Sequence, residues 1–132
     1  MHKWRRIWRE GLAPQLSSAG LRALQSALFN DDIRLVQGVT CFPPPLDLLG
    51  KCAVGGACAI GFSGWQGDGL TRIEQVDAYF VHVCDVADAA LHEAAGCRYF
   101  LNWFDETPRA EMRRELLAEV NLALAMRTRN AA

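Results

Sequence analysis

Apolar residues along this chain change their spacing from block to block, and each change predicts a new element. Trp4, Ile7 and Trp8 share one side of a helical wheel while Arg5, Arg6 and Arg9 occupy the rest, so residues 2–10 predict a short amphipathic helix. Gly11 and Pro14 interrupt it. Ser17 or Ser18 then offers a hydroxyl cap to a second helix reaching about Phe29, with Leu21, Leu24 and Leu28 as its inward stripe. Asn30-Asp31-Asp32 ends that helix with turn chemistry.

The next blocks read as strands. From Ile33 to Cys41, the residues Ile33, Leu35, Val39 and Cys41 fall on one face, with a bulge expected at Gln37-Gly38. Pro43-Pro44-Pro45 cannot continue a ladder, so the chain is expected to leave the sheet there in extended form. A second strand covers about Ala57 to Ser63. Its bulky Cys58, Ile60 and Phe62 alternate with small Ala57, Ala59 and Gly61, which predicts a helix close against the small side.

Thr71-Arg72-Ile73-Glu74 has the form of a capping box. Behind it Ile73, Val76, Phe80, Val83, Ala87 and Leu91 keep helical spacing until Gly96 supplies a stop. Cys97 to Phe104 predicts a third strand. Tyr99, Leu101 and Trp103 alternate with Phe100 and Phe104, so both faces are apolar, as in a strand covered on two sides. Thr107-Pro108 opens the last helix, which runs to about Met126 and buries Met112, Leu116, Val120, Ala123 and Leu124. Arg127 and Arg129 suit its negative pole.

The order α-α-β-β-α-β-α places the chain in the α/β class, with α+β as the alternative. The expected core is a small mixed sheet with a parallel, right-handed β-α-β unit from Ala57 to Phe104 and helices packed on it. At 132 residues and 51% hydrophobic composition, the chain suits a single domain, 1–132, with a sufficient core. Residues 1–12 form a basic amphipathic N-terminal segment of that domain.

Charge is nearly balanced at −1 but unevenly placed. Lys3, Arg5, Arg6 and Arg9 against Glu10 give residues 1–10 a charge of +3, which leaves −4 for the rest. A mildly acidic body disfavours nucleic acid as a partner. The five cysteines, Cys41, Cys52, Cys58, Cys84 and Cys97, are an odd number scattered through apolar segments, as reduced core thiols would be. Residues 1–10 lack the apolar run of a secretory signal, and Cys52–Trp65 is too short and glycine-rich to span a membrane, so a reducing cytoplasm is expected. Cys52 and Cys58 do not have zinc-ligand spacing. No pattern calls for a metal or a cofactor.

In a parallel β-α-β unit the loops leaving the carboxyl ends of the strands share one edge, where ligands of open α/β folds bind. Gly64-Trp65-Gln66-Gly67-Asp68-Gly69 and Asp105-Glu106-Thr107-Pro108-Arg109 are those loops here. Trp65 would stack on a ligand beside Gln66, Arg109 and Arg113 would supply charge, and Asp68, Asp105 and Glu106 would act as acids or hold a cation. Each residue also has a structural explanation. Glycine and aspartate favour turns, carboxylates favour the first turn of a helix, and Arg109 and Arg113 can pair with Asp105 and Glu106. Gly61-Phe62-Ser63-Gly64-Trp65 has Trp65 where a nucleophile elbow needs glycine. His82 and His92 lie off the apolar stripe of their helix, and His2 is terminal, so none is placed as a base.

Trp4, Arg5, Ile7 and Trp8 also have two explanations. The apolar three can pack on their own domain, or the segment can anchor a partner, since tryptophan and arginine dominate interface hot spots. Without a recognisable nucleophile–base pair, the sequence favours a non-catalytic protein-interaction module or accessory subunit, bound to another protein or to itself. The alternative is a small-molecule or anion-binding protein, or a small enzyme, using the 64–69 and 105–109 loops.

Overall fold

The computed structural model describes residues 2–43 and 53–131. The extended exit expected at Pro44-Pro45, and Cys52, lie outside the described residues.

Helices dominate, and the α/β expectation is corrected. Among the described residues six α-helices surround a single pair of two-residue strands: α1 Lys3–Ile7, α2 Ser18–Asn30, α3 Ala59–Phe62, α4 Ile73–Leu91, α5 Cys97–Glu106 and α6 Arg109–Ala131. The strands β1 Cys41–Phe42 and β2 Gly56–Ala57 are antiparallel, with Cys41 opposite Ala57 and Phe42 opposite Gly56. No parallel β-α-β unit forms among these residues. The expected first and second strands meet only around Ala57, through a parallel bridge to Leu35 and the antiparallel pairing with Cys41.

Each failed strand has a physical reason. In Ile33–Cys41 only Leu35 is buried, while Ile33 is 85% exposed, so there is no common apolar face. Gln37 turns inward and its amide donates to the carbonyls of Phe104 and Thr107, both at 2.7 Å. In Ala57–Ser63 every side chain is buried, and an all-round apolar run suits a core helix as well as a core strand. α3 forms there and continues as a π-helical turn, Ser63–Gly67. In Cys97–Phe104 the deciding residues are Cys97, Phe100 and Phe104, buried at spacings of three and four. The Asp88 carboxylate of α4 accepts from the Cys97 backbone N–H at 2.9 Å, which caps α5.

The helical expectations hold better. The Ser17 hydroxyl accepts from Gly20 N at 2.8 Å and caps α2, whose Leu21, Leu24 and Leu28 are buried. α4 starts one residue later than its expected box, and Gln75 rather than Glu74 closes it by accepting from Thr71 N and Arg72 N, both at 3.1 Å. Gly96 is not its stop; His92 ends the helix in the left-handed region, at φ 52°. α6 outruns its expected end at Met126 and buries Met112, Leu116 and Val120.

The N-terminal segment is structural. After α1 the chain continues as a π-helical turn, Trp8–Leu12, and Trp4, Ile7, Trp8 and Leu12 are all buried. Trp4 stacks on Trp103 of α5 at 3.5 Å between centroids, and Trp8 stacks on Phe100 at 5.3 Å. Gly11 passes so close to α4 that a Cβ there would lie 2.6 Å from Leu91. The segment lies against α4 and α5, and its arginines reach α6.

Candidate functional site

The two loops expected to share a sheet edge lie at opposite ends of α2. Asp68 accepts from the Ser17 hydroxyl, and Gly67 packs directly on the Gly20 backbone at the N-terminal end. Arg109 sits at the C-terminal end, where its guanidinium donates to Asp31 Oδ1 at 2.7 Å and to the carbonyls of Leu35 and Asp32, each at 2.9 Å. Thirteen residues of α2 separate the two ends, roughly 18 Å of helix. The pocket those loops were expected to make is absent from the described residues.

Arg109 and Arg113 have internal partners, though not the expected ones. Arg113 donates to Leu28 O at 2.9 Å and to Phe29 O at 3.1 Å. Arg113 thus satisfies carbonyls that α2 leaves unpaired at its C-terminus, and Arg109 ties down the turn that follows it. Hydrogen bonding from Arg109 holds the Asp31 carboxyl below the usual carboxylate range. Both guanidiniums already serve acceptors within the fold. Asp105 accepts from Gly38 N at 2.8 Å, Glu106 and Gln66 are exposed, and Trp65 packs edge-on against Phe62, with Arg34 5.4 Å from its ring.

Asp105 borders a cleft that the sequence did not suggest. Gly38, Val39, Thr40, Cys58, Phe80, Leu101 and Asp105 line about 120 Å³. That volume holds roughly four waters, too few for a nucleotide. Cys58, at the N-cap of α3, is its sulfur donor. Burial pushes the thiol up to about 12, although the backbone N–H groups of Gly61 and Ile60 favour the thiolate. At neutral pH it is a protonated, inert thiol. Among the described residues no three His, Cys, Asp or Glu side chains converge as a metal site requires.

Of the two explanations for Trp4, Arg5, Ile7 and Trp8, the exposed anchor does not fit the burial of the three apolar residues, and packing on their own domain does. The three apolar side chains face the core, and Arg5 reaches Glu115 at 3.3 Å and Glu119 at 3.5 Å. What this segment offers to solvent is one wall of a groove. Between the π-helical turn and α6, Trp8, Arg9, Glu10, Ala13, Glu119, Leu122, Ala123 and Met126 enclose about 300 Å³. Leu122 is 40% exposed and Met126 50% exposed on its α6 wall. The floor is fixed by Glu119, which is 5% exposed and accepts from Arg9 Nε at 2.7 Å and Nη2 at 2.8 Å. The Trp8 indole N–H is buried and has no acceptor among the described residues.

The sequence carried one signal for this groove. Leu122-Ala123-Leu124-Ala125-Met126 is apolar without a break, and a helix cannot turn five consecutive side chains toward one core. Among the described residues no helix is long and apolar enough to cross a membrane. Comparison with known protein families, with curated proteins and with solved structures finds no match.

Proposed function

We propose that the chain is a non-catalytic protein-interaction module whose contact surface is the solvent face of α6 and the groove beside it. One observation carries the reading: Leu122 and Met126 stand open to water one turn apart on α6, lining a groove with Ala13 and Ala123. Exposed apolar side chains grouped at a concave surface mark contact sites, whereas scattered ones do not. The firm floor supports it too, because a pre-organised surface loses little entropy on binding.

A photo-crosslinking residue at position 122, compared with one at exposed Val81 on α4, tests the reading in cells producing the chain. Adducts are expected from position 122 and not from 81. Equal labelling, or none at 122, would remove the α6 surface as a contact site.

A further inference from the structure

We infer that the surface on α6 pairs with the same surface of a second copy, the two helices running antiparallel about a two-fold axis. The inference rests on the interaction reading above and names its partner.

Glu111, Ala118, Leu122, Ala125, Met126 and Arg129 are all exposed and follow one another at helical spacing along one side of α6. The stripe begins with an acid, passes half-buried Glu115, which Arg5 holds at 3.3 Å, is apolar from Ala118 to Met126 and ends with a base. Among the described residues neither Glu111 nor Arg129 has an ion-pair partner, although ten other ion pairs form.

Such an order is complementary to itself only when reversed. If two copies cross at about residue 120, Glu111 of each comes opposite Arg129 of the other, and Ala118 opposite Leu122. Small against large lets the helices approach closely. A parallel pair would set Glu111 on Glu111 and Arg129 on Arg129, which costs energy at both ends. An isologous contact requires one patch to complement itself, and this one does so in charge and in size. Leu122 loses water against Ala118 in the same step, which supplies the apolar gain.

Sedimentation of the full chain, with two single variants and their mixture, tests the pairing. Glu111→Arg and Arg129→Glu both lie on the exposed face, so neither disturbs the core. The unsubstituted chain is expected to dimerise as its concentration rises to about 200 µM, and each variant to dimerise at least about tenfold more weakly. An equimolar mixture of the two should recover dimers, since every charge again faces its opposite. Leu122→Asp should abolish dimerisation while leaving the circular dichroism spectrum unchanged.

A monomeric chain throughout that range overturns the pairing, as does a mixture no better associated than its components. If the chain is monomeric while position 122 crosslinks to a different protein, the second copy is excluded and the interaction reading stands. If position 122 captures nothing, both fall.

Discussion

Arg9 and Glu119 are 110 positions apart in sequence, yet they share two hydrogen bonds, of 2.7 and 2.8 Å, that join the first π-helical turn to α6. Their surroundings are unequal. Arg9 is largely open to water, whereas Glu119 is buried with only Arg5 as a second cation, at 3.5 Å. Removing Arg9 therefore strands a desolvated carboxylate. Arg9→Met should cost about 2–3 kcal/mol in urea unfolding, below the usual cost of breaking a fully buried pair because Arg9 is partly solvated. Arg9→Met with Glu119→Leu should recover to within about 1 kcal/mol of the original, because no unpaired charge remains. A double variant as unstable as the single one would mean that the pair itself contributes the stability.

Arg109 performs a different task, closing the C-terminal end of α2 through Asp31, Asp32 and Leu35. Lysine keeps the charge but cannot place donors on three acceptors at once. Arg109→Lys should lower stability by about 2 kcal/mol. Inorganic phosphate in millimolar excess should leave the Tm of the unsubstituted chain where it is, because each guanidinium nitrogen already donates to an acceptor within the fold. An upward shift would show a guanidinium still open to an anion.

The sequence was legible where one periodicity stood alone. Ser17 and the stripe Leu21, Leu24, Leu28 fit a capped helix and nothing else, and α2 is where they placed it. Tyr99, Phe100, Leu101, Trp103 and Phe104 fit period 2 and period 3.6 alike, so α5 was read as a strand. What separates the two readings is tertiary: Trp4 and Trp8 stack on Trp103 and Phe100, while Arg98, Tyr99 and Asn102 face solvent. Arg109 and Arg113 share the helical arc of Met112, Leu116 and Val120, and an arginine in an apolar arc signals a need for partners. Apart from the Asp31 carboxylate, those partners are backbone carbonyls at the end of α2 and in the turn after it, and no side-chain pattern reports them.

Cys58 gives the stability a pH dependence. An unfolded cysteine ionises near 8.5, while burial holds this one up to about 12. Below about 8.5 the thiol is protonated in both states and its packing contributes fully. Above that only the unfolded chain releases the proton, so stability falls by up to ~1.4 kcal/mol per pH unit until the folded thiol also ionises. Between pH 8 and 10 the unsubstituted chain should lose roughly 2 kcal/mol more than Cys58→Ala, as urea unfolding would read it. Equal losses would mean that the thiol ionises freely in the fold, and rapid alkylation of Cys58 at pH 8 would then accompany them.

The N-terminal segment separates two accounts of the chain most sharply. An appended anchor could be removed without harm. A core element could not. Trp4, Ile7, Trp8 and Leu12 are buried, and burying a large apolar side chain is worth about 1.5–3 kcal/mol. Four of them rival the ~5–15 kcal/mol by which a domain is stable at all. The aromatic stacks on Phe100 and Trp103 would go too, and α5 would expose its face. A chain beginning at Ala13 should therefore lack a cooperative thermal transition and most of its helical circular dichroism. Trp4→Ala alone should cost about 3–5 kcal/mol but leave the fold recognisable. A truncated chain that melts cooperatively near the original Tm would return residues 1–12 to the role of a detachable arm, and would move the search for the contact surface back to α1.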